Sequence, residues 1–413
     1  MPRYDNLSEE LQERIREDRK NHLENPYAFR DEDVLRRRMD HDRANLWRPA
    51  FVRDSEKIMH IPYYNRYADK TQVFSLYRND DISRRSQHVQ LVARIARNIG
   101  SVLGLNTDLI EAIALGHDIG HTPFGHPGER MLGELYFEST GRYFNHNIHS
   151  ARVLDTIFPL NLSMQTLDGI ICHNGELELA EYRPGRYRDF AGFDRKMENC
   201  YIRRGAVKEL VPATLEGCVV RVSDIIAYLG KDRQDALKLG LYEEETSENS
   251  GNAKRGIGTT NAEIINNMTV NLIENSYGKD YLKMDPDYFE AFKSSKKENY
   301  ERIYGNSKLE RVYNEQIHPM FEEVYRKLLR DMRRHEKSSV IYTHHINYIR
   351  GLTRYYSDLA YEECRAEDIV VDYMASMTDD YFVDLYHYLF PRGKYRVDYI
   401  GYFDRKEAGR PKE

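Results

Sequence analysis

The chain has 413 residues, 40% hydrophobic and 31% charged, with a formal net charge of −6 and a pI near 6.2. That much apolar material allows a sizeable core and excludes disorder along the whole chain. The acidic balance excludes the global basic field of a nucleic-acid binder.

Residues 1 to about 50 are dense in Arg, Asp and Glu and read as a solvated helix followed by an extended arm, peripheral to the rest. From 51 to 235 the apolar periodicity is strong, and this block reads as the functional core. Residues 241 to 260 mix acidic residues with Ser, Gly, Asn and Thr without a period, so a long surface loop is expected there. The remainder of 236–413 reads as a C-terminal helical region packing on the core, with helix-like runs through Val312 to Met332 and Ile369 to Leu389. The tail from Pro391 is expected to fold back as a short strand or arm. The whole is an all-α architecture. Cys172, Cys200, Cys218 and Cys364 stand at neither zinc-ribbon nor redox spacing and read as buried or free thiols. The charged N-terminus, and the lack of any stretch near the ~20 apolar residues of a membrane helix, predict a cytoplasmic protein without a membrane partner.

Within the core, His88, Leu91, Val92, Ile95, Ile99, Val102 and Leu103 follow the spacing of one buried helical face, so His88 points inward. The next helix is expected to begin at Asp108, an N-cap with Glu111 completing a capping box. Its apolar face runs Ile110, Ile113, Ala114 and then His117, which is followed at once by Asp118. A third helix, about Ala213 to Leu229, is apolar almost all round. It nonetheless carries a polar stripe of Arg221, Asp224, Tyr228 and Lys231 or Asp232. Burying an unpaired carboxylate costs several kcal/mol, so Asp224 needs a cation or hydrogen-bond partners. Two inward histidines and two carboxylates in this order point to a divalent metal. Mg or Mn comes first, with Fe, Co, Ni or Zn as alternatives.

Beyond the His-Asp pair comes GHDIGHTPFGHPGE, residues 116 to 129. Pro123 and Pro127 are expected to break the helix and leave His121, His126 and Glu129 on a loop and the start of a new helix, near the metal end. A histidine backed by a carboxylate is the usual equipment for moving a proton, which makes His126 with Glu129 a catalytic pair. His121 reads either as catalytic or as a structural residue beside the ligands.

These runs, with FVRDSEKIMH (51–60), DKTQVF (69–74), SRRSQH (83–88), LNLSMQTLDGIICH (160–173), SDIIAY (223–228) and, more loosely, DYMASMTDDY (372–381), resemble the HD-domain deoxynucleoside triphosphate triphosphohydrolases, the dGTPase family. The resemblance is dense over 50–235 and thin beyond. It implies hydrolysis of a dNTP to deoxynucleoside and tripolyphosphate, with His88, His117, Asp118 and Asp224 as metal ligands and His126 with Glu129 at the scissile bond. It further implies Gln72 on the sugar 3′-hydroxyl, Val73 crowding a 2′-hydroxyl, Arg85 on phosphate, Tyr228 packed on the sugar and Asp232 on the 3′-hydroxyl, with Lys231 beside them. A homo-oligomer and a nucleotide effector are also implied.

The chain departs from the family pattern at Ser83, where an arginine is usual, with Arg84 adding a cation one step along. It departs again at FNHN (144–147), where His146 is either a further catalytic or phosphate-contacting group or a solvated histidine; His149 follows. Three alternatives stay open from the residues: a hydrolase of nucleotide monophosphates or of cyclic or signalling nucleotides, a nucleotide-regulated sensor with low turnover, and single-stranded nucleic-acid binding through stretches such as EYRPGRYRDF (181–190).

Overall fold

The computed structural model describes residues 4–174, 178–186, 189–241, 257–304, 307–353 and 361–404. Helices account for nearly all of its regular structure, as the periodicity predicts. The one sheet among the described residues is an antiparallel pair, Glu181–Tyr182 with Leu282–Lys283. Most of the expected 241–260 loop, residues 242–256, lies outside the described residues. Among the described residues no helix is long and apolar enough to cross a membrane, and the four cysteines are free thiols.

The N-terminal segment is more than a peripheral decoration. Helix α1 (Glu9–Lys20), capped by Ser8, places Leu11 and Ile15 in the main core. In the arm that follows, Arg36 is buried: its guanidinium donates to Asp54 at 2.6 Å and to the carbonyls of Asn161 and Ala50 at 2.7 and 2.8 Å. Charge density hides this, because the partners lie on α2 (Ala50–His60) and far along the chain. A short turn, α3 (Pro62–Asn65), follows.

Helix α4 (Arg85–Leu103) buries His88, Val89, Val92, Ala96 and Ile99 along one face and stops where Gly104 takes a left-handed conformation, φ 71°. Helix α5 (Thr107–Gly116) begins at Asn106, whose side chain accepts from the amides of Asp108 and Leu109. This corrects the expected Asp108 cap, and Glu111 pairs with Arg97 at 2.8 Å instead of closing a capping box. Next come α6 (Gly125–Thr140), α7 (His146–Arg152), α8 (Met164–Ile171) and α9 (Phe190–Ile202). Helix α10 (Leu215–Lys238), capped by Thr214, runs more than two turns past the expected end. It packs on α4, α5, α8 and the helix Asn261–Ser276, which is why it is buried on nearly every side.

The C-terminal region forms a second core with α6, in which Phe124, Met131 and Leu132 meet Phe321, Leu328, Met374 and Phe382. The run expected through Val312 to Met332 starts earlier, at Ser307, and passes through a π turn, Tyr313–Ile317, into His318–Arg333. The single helix expected over Ile369 to Leu389 is two, Ala366–Ser376 and Asp379–Leu389. Extended Met377 breaks it, and the Thr378 side chain caps the second helix. The tail folds back as an arm, with Ile400 bridging Tyr77.

Removing Arg36 strands a buried carboxylate. Arg36→Ala is expected to cost about 3–5 kcal/mol in urea unfolding, against about 0–1 kcal/mol for Arg37→Ala, whose pairs with Asp155 and Asp194 are more exposed.

Candidate metal centre

Helices α4, α5 and α10 cross where their apolar faces are interrupted by His88, His117 and Asp224, and each of these is buried. His88 Nε2 lies 3.0 Å from Asp224 Oδ1, and His117 Nε2 lies 3.9 Å from the same oxygen. The Nδ1–H of His117 donates to the Ala114 carbonyl at 2.7 Å, so Nε2 is the ring nitrogen that a neutral His117 offers as a lone pair. That atom is buried without a hydrogen-bond partner, and its other near neighbour is Asp118 Oδ1 at 3.7 Å. An orphaned imidazole lone pair facing two carboxylates is what a divalent cation would satisfy. One ligand atom from each of His88, His117 and Asp224 falls within 4.8 Å of the others, as does one from each of His117, Asp118 and His173.

The second trio includes a residue that sequence reasoning missed. His173 stands two residues past the end of α8, and like His117 its Nδ1–H donates to the carbonyl three residues back, here Ile170 at 2.6 Å. Its Nε2 reaches 3.9 Å from Asp118 Oδ1. The signal available was a lone histidine just after a fully buried helix. Burial above all, with repulsion from His146, lowers His173 to about 3, so it is a neutral acceptor.

Charge is balanced pairwise. Burial alone would raise Asp118, but Arg85 above all holds it well below the usual carboxylate range; the guanidinium sits 2.5 Å from Asp118 Oδ2. Burial would likewise lower His88, yet its hydrogen bond with Asp224 and that group's charge raise it.

Beside this cluster His121, His126, Glu129 and His146 form a quartet, with one ligand-type atom from each within 4.8 Å of the others. The stronger partner of Glu129 is His146, not His126. The His146 Nδ1 lies 2.8 and 3.0 Å from the two carboxylate oxygens, and the His146 amide donates to one of them at 2.7 Å. His126 Nδ1 stands 3.4 Å away on a side chain 61% exposed. His146 Nε2 lies 3.3 Å from the neutral Nε2 of His173 and so must donate to it. With both ring nitrogens acting as donors, His146 is an imidazolium: burial would lower it, but the charge and hydrogen bonds of Glu129 raise it to about 9. His121 stacks on it, ring centroids 4.5 Å apart. Burial, Arg85 and the His146 charge push His121 well below its ordinary value. His146 Nε2 is 3.9 Å from Asp118 Oδ1, which joins the quartet to the metal cluster.

The GHDIGHTPFGHPGE run is shaped by close approaches. A Cβ on Gly120 would meet the Ser150 amide nitrogen at 2.3 Å, and one on Gly128 the Pro123 carbonyl oxygen at 1.9 Å. Phe124 (φ 60°) and Gly125 (φ 57°) are both left-handed and turn the chain into α6. Pro127 therefore breaks nothing: it occupies the first turn of α6, where its missing N–H is no loss.

The residues expected to meet a sugar or phosphate are less uniform. Gln72 carries a buried Oε1 without a partner, and Val73 packs against the Phe74, Tyr77 and Ile82 cluster. Tyr228 lies one turn after Asp224, packed against the main core. Lys231 turns to Asp235 at 2.8 Å. Asp232 accepts from the Tyr304 hydroxyl at 2.5 Å, and burial pushes it up to about 7. The Ser83 amide donates to Asp235 at 3.0 Å. His149 is buried, 3.7 Å from Asp372, and is not solvated.

A helical body with a histidine, a His-Asp pair and a distant aspartate converging on one buried point is the arrangement of an HD-type hydrolase. The model of the HD domain matches residues 85–229. A deoxyguanosinetriphosphate triphosphohydrolase-like protein of Caldanaerobacter subterraneus is 31% identical over 351 residues, covering 83% of this chain and 92% of the relative. Its counterpart in Clostridium tetani is 30% identical over 373 residues, with 88% and 92% covered. That of Desulfatibacillum aliphaticivorans is 40% identical over 198 residues, 47% and 49%. The chain belongs to the HD-domain dGTPase family.

The pH dependence of Asp232 has a definite sign. Between 3.8 and about 7 the folded chain keeps a proton that the unfolded chain has released, so stability falls as pH rises through that window. Thermal scans should find Asp232→Asn more stable than wild type at alkaline pH, the difference vanishing near the lower bound.

Proposed function

We propose that this protein hydrolyses deoxynucleoside triphosphates to deoxynucleoside and tripolyphosphate. The observation that carries the reading is Asp118, shared between a buried histidine and carboxylate cluster able to hold a divalent metal and a histidine quartet that holds protons. The substrate class rests on the names of the relatives and on the residues that resemble the family's sugar and phosphate contacts.

His88, His117, Asp118 and Asp224 would hold the ion, which when bound supplies charge neutralisation at phosphoryl oxygens and a more acidic water. Arg85, whose Nε has no partner, adds a guanidinium toward the phosphate chain. Cleavage at the α-phosphorus expels the sugar 5′-oxygen, which needs a proton as it leaves. His126 is the exposed member of the quartet and the one suited to deliver that proton. Glu129 touches both His126 and the imidazolium His146, so the proton spent at one can be replaced from the other. Gln72, Val73, Tyr228, Lys231 and Asp232 would receive the deoxyribose, Asp232 exchanging its Tyr304 partner for the 3′-hydroxyl.

Incubation with each dNTP and Mg or Mn, followed by ion-exchange separation, should yield deoxynucleoside and tripolyphosphate in wild type and neither in Asp118→Ala. His126→Ala should lower kcat by about 10²–10⁴-fold. Release of a monophosphate with pyrophosphate, or no turnover of any dNTP, would overturn the reading.

A further inference from the structure

The run DYMASMTDDY takes no part in the chemistry above, yet it holds the loop on which that chemistry depends. Asp379, only 4% exposed, reaches across with both carboxylate oxygens. Oδ1 accepts the amide of Phe124 at 2.8 Å, and Oδ2 accepts the Thr71 hydroxyl at 2.5 Å. Lys70, 3% exposed, donates from Nζ to the carbonyl of His121 and, at 2.8 Å, to that of Ala375. The Lys70 carbonyl in turn accepts the amide of Arg85 at 3.0 Å.

These bonds grip both ends of the stretch from His121 to Phe124. Upstream of it stand His117 and Asp118 of the metal cluster; downstream, α6 opens with His126 and Glu129. The grip falls where the backbone least favours its own conformation. Phe124 sits at φ 60° and ψ 25°, a region that L side chains rarely adopt. As the residue preceding α6, its amide finds no carbonyl within that helix. A buried carboxylate supplies the missing acceptor and selects the left-handed turn. Without it, α6 could pivot about Phe124 and carry His126 and Glu129 away from Asp118.

We infer that Asp379 and Lys70 are positioning residues that set the distance between the proton-carrying quartet and the metal cluster, so that the C-terminal helices are required for turnover and do more than cover the core. The inference rests on the proposed hydrolytic reading for its effect on rate, though not for the grip itself.

The test compares Asp379→Ala, Asp379→Asn and Lys70→Met in the full chain, by amide hydrogen exchange over the 119–128 segment, bound metal content, and kcat and KM on whichever nucleotide the wild type hydrolyses. Asparagine can accept from the Phe124 amide and donate to Thr71 Oγ1, so it keeps the geometry without the charge. The expected result is faster exchange and a kcat lowered about 10²-fold in Asp379→Ala and Lys70→Met, with KM and metal content unchanged and Asp379→Asn close to wild type. Should Asp379→Ala fail to fold, Lys70→Met and Asp379→Asn carry the comparison. Unchanged exchange, unchanged kcat, or an asparagine variant as slow as alanine would overturn the inference. A wild type inert toward every dNTP would instead count against the substrate reading, with exchange still deciding whether the grip exists.

Discussion

Two carboxylates buried where three apolar helices cross are the constraint that the rest of the molecule answers. Asp118 and Asp224 sit where a lone charge would cost several kcal/mol, and helix α4 meets both demands from one inner face. Arg85 pairs with Asp118, and His88, one turn on, pairs with Asp224. Helix α10 can carry Asp224 among apolar neighbours because that carboxylate already has a partner there. The same pairing leaves His117 Nε2 without a partner, beside groups that could hold a cation. Stability and function thus draw on the same few groups.

Around that centre the histidines differ in charge although they touch. His173 is held neutral by burial, while His146 is held protonated by Glu129 despite its burial. His121, stacked on that imidazolium, is driven toward the neutral form. A charged donor held against a carboxylate that also touches His126 can keep a proton near neutral pH and restore one that His126 gives up, as the proposed hydrolysis requires.

The centre was largely legible in the sequence, because a polar residue that interrupts an apolar face at helical spacing is buried with it and must meet a charge, a hydrogen-bond partner or a metal there. What escaped shares one physical cause, partners distant along the chain. Arg36 looked like one more charge on a solvated arm because Asp54 and Asn161 meet it only after folding. His173 stood alone just past a buried helix, its partners Asp118 and His146 on other segments. Glu129 was assigned to His126, its neighbour one turn on, when the backbone turn at FNHN delivers His146 closer. Local chemistry misled in smaller ways. Asn106 outcompeted Asp108 as a cap because its side chain reaches two amides, and Thr378 ended one expected helix by starting another. Of the residues expected to meet sugar or phosphate, Lys231 and Asp232 already have protein partners that their spacing could not reveal.

The most direct measurement follows the oxygen of the attacking water. Hydrolysis of a dNTP in water enriched in the heavy oxygen isotope, with products resolved by mass spectrometry, reports which bond is cut. Attack at the α-phosphorus with departure of the 5′-oxygen puts one heavy oxygen into tripolyphosphate and none into the deoxynucleoside. Heavy oxygen in the deoxynucleoside, or a labelled monophosphate beside pyrophosphate, would contradict it.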